Sequence, residues 1–311
     1  MFSLALAIKS SMGKLLIISG PTASGKTALA VKLATKFNGE LISSDSRQIY
    51  KYLDIGVGKD HPKDVQIHLI DLIEPNQKFS VSQFRKLAID LISEIQAKNK
   101  LPILVGGSGF YIDAVINSKY NTLSIKPNLL LRFILFKLPV KFLQQLLKII
   151  DQKTLLKLNN SDLNNPIRLV RKIEISLSPF PQREKRRSRE GFDYLHLSLT
   201  APRQYLYDRI DARVESRLKL GHIKELKSLL KKYKWSDPGL KISAYKVFNT
   251  IVSLDQIKQK WKYAEHRDAR RQLTWFKKYT RGIFIDITNP NYQKEVFKIV
   301  NKFLKNLIIK N

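Results

Sequence analysis

Gly20-Pro21-Thr22-Ala23-Ser24-Gly25-Lys26-Thr27 matches the G-x-x-x-x-G-K-[ST] pattern of a phosphate loop. Its glycines let successive backbone N–H groups turn inward around phosphate oxygens at a helix N-terminus. Lys26 adds a point charge, and Thr27 a hydroxyl suited to Mg²⁺. The implied chemistry is the grip on a diphosphate or triphosphate. Asp45 is the carboxylate best placed to act as a base, because it ends the strand that follows the phosphate-loop helix. An ordinary loop aspartate would instead shape a turn or cap a helix. Ser44, Ser46, Arg47 and Gln48 surround it with hydrogen-bonding groups and a cation, a set suited to reading a polar ligand. Arg209 and Arg213 are four apart, so on a helix they share a face, either as a solvated salt-bridged surface or as cations turned to a ligand.

The elements that must position these groups are legible as alternating patterns. Leu15-Leu16-Ile17-Ile18 reads as a buried strand before the phosphate loop, and Ala28 to Ala34 as the helix after it. Leu41 to Ser44, Ile67 to Ile73 and Leu101 to Val105 read as further strands, the last closing on Gly106-Gly107-Ser108-Gly109. Between them a helical spacing of Phe84, Leu87, Leu91 and Ile95 follows Ser80 as N-cap. Strand and helix in alternation predict an α/β, P-loop NTPase-like parallel sheet flanked by helices. In such sheets ligands lie outside the carboxyl ends of the strands, so Gly20 to Thr27, Asp45 to Gln48 and Gly106 to Gly109 should converge. The expected organisation is a core of residues 14–117 and 193–311, and a lysine- and leucine-rich helical insertion at 118–192 that ends in the basic run Arg183 to Arg189. The C-terminal part reads as helical apart from a strand at Ile283-Phe284-Ile285, and residues 1–13 as a dispensable extension.

Composition narrows the function. The 311 residues carry 56 Lys+Arg against 26 Asp+Glu, a net charge of +30, which suits a polyanionic partner unless it only reflects a lysine-biased composition. Arg168 and Arg171, and Arg267, Arg270 and Arg271 ahead of Trp275 and Phe276, mix guanidinium groups with aromatics in the way RNA binding uses; the two rings fit a core equally well. The chain has no cysteine, which excludes disulfides and thiolate chemistry and agrees with a cytoplasmic setting. No apolar run reaches the roughly 18 residues of a membrane span. A phosphoryl-transferring enzyme wants an acidic residue at the end of an apolar strand, yet the strand ending at Val105 runs into glycine, leaving Asp71 as the other candidate. The loop thus suits a diphosphate that leaves better than a nucleotide that donates a phosphoryl group. His68 and His196, inside apolar strands, read as core residues rather than metal ligands.

Taken in order, the phosphate loop, Ser44-Asp45-Ser46-Arg47-Gln48-Ile49-Tyr50, His68-Leu69-Ile70-Asp71, Gly106-Gly107-Ser108-Gly109-Phe110-Tyr111, Arg168-Leu169-Val170-Arg171 and Arg271-Gln272-Leu273-Thr274-Trp275-Phe276 make the chain resemble the tRNA dimethylallyltransferase family from about residue 14 to 280. The resemblance implies transfer of a dimethylallyl group from dimethylallyl diphosphate to the N6 amine of adenosine 37, beside the tRNA anticodon, with release of diphosphate and with Mg²⁺ as cofactor. It makes Asp45 the general base, and Arg213 with Lys26 and Thr27 the groups on the diphosphate. Asp45 to Gln48, Ser108, Ile167-Arg168-Leu169-Val170-Arg171, Tyr245, Lys246 and Arg271 would touch tRNA, and a cytoplasmic monomer is implied. Two departures bear on tRNA contacts: Val57 stands where the family usually has threonine, and Ala244 where it usually has glycine. A small-molecule kinase and a non-catalytic RNA-binding protein are the competing classes; the missing acidic strand end speaks against the first, and intact Lys26, Thr27 and Asp45 against the second.

Overall fold

The computed structural model describes residues 13–59, 62, 64–117, 127–178 and 192–305. The chain forms two compact units, one of Met1–Ile116 with Gly191–Asn311 and one of Asn117–Glu190.

In the larger unit the chain order is β1 (Lys14–Ser19), α1 (Lys26–Phe37), β2 (Gly39–Ser43), β3 (Ile67–His68), α2 (Val81–Ala97), β4 (Leu101–Gly106) and α3 (Gly109–Ile116). The smaller unit contributes α4 (Leu129–Leu135), α5 (Val140–Leu156), α6 (Asn160–Leu163) and α7 (Pro166–Ser176). The larger unit then resumes with β5 (Asp193–Thr200), α8 (Arg203–Lys219), α9 (His222–Leu230), α10 (Ser243–Lys246), α11 (Leu254–Tyr279), β6 (Ile283–Asp286) and α12 (Tyr292–Lys305). The strands form one sheet in the order β3-β2-β4-β1-β5-β6, with every pairing parallel. With a phosphate loop joining β1 to α1, this is the P-loop NTPase-like arrangement that the alternation predicts.

Both sheet faces are covered, which explains why the central strands read as unbroken apolar runs. Successive side chains point to opposite faces, so Leu16 and Ile18 pack with Leu29 and Leu33 of α1 and Val296 and Val300 of α12. Leu15 and Ile17 pack on the other face with Phe84, Ile92 and Ile95 of α2 and Ile112 of α3. Ser80 caps α2 through a full capping box with Gln83. A third core joins Ile49, Leu53 and Val57 to Val214, Leu226, Tyr245 and Trp261. The smaller unit has its own core of Leu143, Leu147, Leu169, Val170 and Ile173.

The structure changes the sequence reading in one strand. Of Ile67 to Ile73 only Ile67 and His68 pair in the sheet, because Leu69 (φ 60°) and Asp71 (φ 55°) take the left-handed conformation and turn the chain out of the ladder. Ile73 rejoins by a single parallel bridge to Tyr50. His196 is a core residue as read: its Nε2 lies 2.8 Å from Ser19 Oγ, and burial pushes its pKa down to about 4. Residues 1–12 and the basic run Arg183 to Arg189 lie outside the described residues.

Candidate active site

The phosphate loop leaves β1 and enters α1 through Gly25, whose φ of +80° makes the N-cap a left-handed position that glycine takes without strain. Thr22, Ala23, Gly25, Lys26 and Thr27 line one wall of a cavity of about 600 Å³. Lys26 Nζ reaches the Pro21 carbonyl at 3.2 Å, so the ammonium is drawn over the loop it serves. Arg209 and Arg213 project from α8 onto the same loop. Arg209 Nε donates to the Ala23 carbonyl at 2.7 Å and Arg213 Nη1 to Thr22 Oγ1 at 3.2 Å. The four-residue spacing therefore turns both guanidinium groups onto the phosphate loop at the cavity wall.

Asp45, Ser46, Arg47 and Gln48 line the same cavity beyond the end of β2, and Ser108 joins them beyond the end of β4. Backbone bonds pin the two strand ends together: Ser44 N–H donates to Val105 at 2.7 Å, and Ser108 N–H to Ser44 at 3.2 Å. Ser108 Oγ accepts from the Ser46 N–H at 3.0 Å. Asp45 Oδ1 accepts the Arg47 N–H at 3.0 Å, so the carboxylate makes a turn and also faces the cavity. These two roles are compatible, because the turn fixes the carboxylate in place.

Arg47 is held by Glu265 at 3.5 Å and by Asp268, both buried acids of α11. Burial works against its charge, but Glu265, Asp268 and Asp45 outweigh it and hold the guanidinium protonated well above its ordinary pKa. Gln272, one turn further along α11, accepts the Thr22 N–H at 2.8 Å and donates to the Gly107 carbonyl at 3.1 Å. It ties the phosphate loop to the end of β4. Glu265, Asp268 and Gln272 carry no site role in the sequence reading; their spacing of three and four, which sets them on one helical face, was the available signal.

The strip Gly56-Val57-Gly58 completes the cavity and is held from behind by Glu225 of α9. Glu225 accepts N–H groups of Asp54 at 2.8 Å, Ile55 at 2.7 Å and Gly56 at 3.0 Å, and the Tyr245 hydroxyl at 2.7 Å. Burial raises its pKa, but the nearby His222 ring and the bonds from Gly56, Ile55 and Tyr245 outweigh that and bring it down to about 2. A depressed folded-state pKa means stability that is present above about pH 4.3, the unfolded value, and lost as pH falls through about 2. Glu225→Gln is therefore expected to lower the melting temperature by several degrees at pH 7, and the gap should close toward pH 2. Thermal melts across this range check it; parallel curves would refute it.

Several expected tRNA contacts need correction. Tyr245 is fully buried, and Leu169 and Val170 are 0% exposed in the core of the smaller unit. A side chain packed on all sides has no surface to offer a partner. Ile167 and Arg168 at the start of α7 remain exposed and Arg171 half-buried, with Arg168 ion-paired to Asp162 and Arg171 3.2 Å from Glu174. Lys246 is exposed, and so is Arg271, which pairs with Asp268. Phe276 is core and Trp275 half-buried. Ala244 sits in α10, away from any left-handed turn, and its carbonyl accepts from His222 Nε2 at 2.9 Å, so its Cβ is accommodated. Asp71 pairs with Lys59 and does not line the cavity.

Comparison with known proteins gives the family. The family model described as IPP transferase matches residues 48–279. The tRNA dimethylallyltransferase of Carboxydothermus hydrogenoformans is 37% identical, with 93% of this chain and 97% of that one aligned. That of Acetivibrio thermocellus is 36% identical over 95% and 96%. Among solved structures, the full-length tRNA isopentenylpyrophosphate transferase of Bacillus halodurans superimposes with a TM-score of 0.70 at 33% identity, covering 94% of this chain and 97% of that one. A eukaryotic dimethylallyltransferase captured acting on tRNA gives a TM-score of 0.82 at 25% identity, over 94% and 80% of the two chains. With a model match over most of its length, relatives above 30% identity end to end and the phosphate loop and Asp45 in one cavity, this chain belongs to the IPP transferase family.

Proposed function

We propose that this enzyme, which transfers a dimethylallyl group to adenosine 37 of tRNA, draws that group from dimethylallyl diphosphate held on the phosphate loop and uses Asp45 as general base. The observation that carries this reading is the single cavity in which the phosphate loop, Asp45 and Arg213 meet. An exocyclic adenine amine is a poor nucleophile, because its lone pair is delocalised into the ring, and it becomes acidic as the new C–N bond forms. Asp45 takes that proton in the transition state. The C–O bond to the diphosphate breaks at the same time, and charge grows on the leaving group where the loop amides, Lys26 and Arg213 are preorganised to receive it. The target base must leave its stack to reach the enclosed allylic carbon.

The donor set fits Mg²⁺ held mainly through ligand phosphates. Thr27 offers a hydroxyl on the cavity wall, and the described residues contain no cluster of three or more acidic or imidazole ligands that would cage an ion. When bound there, Mg²⁺ neutralises charge on the diphosphate. Ser46, Arg47, Gln48, Ser108, Lys246 and Arg271, with Ile167 and Arg168 on the smaller unit, are the side chains we assign to tRNA. We take the enzyme to act as a monomer in the cytoplasm, the compartment of its tRNA.

Incubation with dimethylallyl diphosphate, Mg²⁺ and unmodified tRNA, followed by digestion and mass spectrometry, should yield N6-dimethylallyl-adenosine; no product would overturn the reading. With a net charge of +30, tRNA binding should weaken by at least tenfold between low and physiological salt, as phosphate contacts require, and a flat response would contradict it.

A further inference from the structure

Three arginines stand four residues apart along α8, at positions 209, 213 and 217. All three line the cavity. Arg209 and Arg213 spend their guanidinium groups on the phosphate loop, at the Ala23 carbonyl and Thr22 Oγ1. Arg217 differs. It is only 6% exposed, its Nε is buried without a hydrogen-bond partner, and among the described residues its guanidinium makes no hydrogen bond or ion pair. A buried cation without a bonded partner is costly, and natural proteins keep one where a ligand completes it.

The geometry around Gly58 shows what it faces. Gly58 has a φ of +64°, and a Cβ built there would collide with Arg213 Nη2 and Arg217 Nη2 alike. The two guanidinium tips therefore meet at one point on the cavity wall, one helical turn apart at their roots. Among the described residues no carboxylate forms an ion pair with either of them. Glu265 is the acid nearest in effect to Arg217, and it is already engaged by Arg47 at 3.5 Å and by Trp261 Nε1 at 3.4 Å. Burial and the neighbouring charges of Arg213 and Arg47 bring the Arg217 pKa down to about 10, with Glu265 opposing them; this crowding of positive charge is what an arriving polyanion relieves.

We propose that Arg217 is a further diphosphate-binding residue, which with Arg213 forms a paired-guanidinium clamp on the anionic end of the prenyl donor. The proposal rests on the reading of the phosphate loop as a diphosphate site. Two converging guanidinium groups match a ligand with at least two negative charges, and each offers charge-assisted hydrogen bonds to separate oxygens. The clamp adds binding strength and holds the leaving group after the bond breaks, so Arg217 positions the diphosphate beside Arg213.

The test titrates inorganic diphosphate with Mg²⁺ into the full-length protein by calorimetry, comparing wild type, Arg217→Met and Arg217→Lys. Methionine fills the buried stem without a charge, so the variant should melt at or above the wild-type temperature when no ligand is present. Its affinity for diphosphate should fall about ten- to a hundredfold, with Arg217→Lys between the two. In turnover, the KM for dimethylallyl diphosphate should rise while the KM for tRNA stays within about twofold. Unchanged diphosphate affinity in Arg217→Met would overturn the proposal, as would a loss confined to tRNA. Should Arg217→Met fail to fold, wild-type diphosphate affinity in a folded Arg217→Lys would overturn it. Failure of the wild type to bind diphosphate would refute the underlying site reading and this inference together, so the wild-type titration separates the two failures.

Discussion

Asp45→Asn is expected to lower the rate of the chemical step by about 10²- to 10⁴-fold while leaving the affinity for dimethylallyl diphosphate within about threefold of wild type. The substitution is chosen for what it preserves. An asparagine carbonyl oxygen can still accept the Arg47 N–H that Asp45 Oδ1 holds at 3.0 Å, so the turn at the end of β2 survives. It keeps the shape of the carboxylate and removes its ability to take a proton. Single-turnover kinetics with saturating tRNA, together with a donor titration, separate the two effects. A rate within threefold of wild type would mean that the proton leaves by another route. A collapse in donor affinity would instead place Asp45 in the grip on the diphosphate.

Arg47→Met should destabilise the fold by about 2–3 kcal/mol at pH 7, below the 3–5 kcal/mol of a fully buried broken pair. The discount has two causes: the Arg47 side chain is 28% exposed, and Arg271 still reaches Asp268. What remains is Glu265 and Asp268, 3% and 4% exposed, with their principal cation gone. The pH dependence gives a sharper signature than the size. In the wild type, burial raises the Asp268 pKa but Arg47 and Arg271 pull it below the ordinary value, so the pair stabilises above about pH 4 and its contribution is lost as pH falls through the depressed folded pKa. In the variant, burial of Asp268 is no longer opposed by Arg47, so its folded-state pKa rises and the stabilisation that the wild type loses in acid is already missing at pH 7. The wild-type and variant melting temperatures should therefore converge as pH falls from 7 toward 4. Melts at constant ionic strength check this, and a gap that widens in acid would contradict it. The same variant should lose tRNA modification more than stability alone explains, because Arg47 lines the cavity beside Asp45.

Both predictions turn on residues whose local context was readable and whose partners were not. The phosphate loop reads from sequence because its chemistry is made by consecutive backbone groups: Gly20 to Thr27 carry their own geometry wherever a strand precedes and a helix follows. Asp45 and Ser108 read because the ends of parallel strands face one crevice, a rule of topology that needs only strand order. The strand at Ile67 was overextended for the complementary reason. Its apolar run looked continuous, but left-handed Leu69 and Asp71 are stabilised by bonds from residues 71–73 to Gln48 and Ile49, and periodicity does not report these.

The sequence by itself determined the α/β class, the phosphate loop, the candidate base and the family, since each depends on residues close together in the chain or on the order of motifs along it. Only the tertiary structure decided what each cation meets. It turned Arg209 and Arg213 from a generic helical face into donors to the phosphate loop, paired Arg47 with Glu265 and Asp268 across more than 200 residues of chain, and left Arg217 buried beside Gly58. It also withdrew Tyr245, Leu169 and Val170 from the surface. The physical reason is common to all of these. Whether a side chain is solvated, paired or held open for a ligand depends on what packs against it from distant elements, and helical spacing specifies a face without specifying what that face meets.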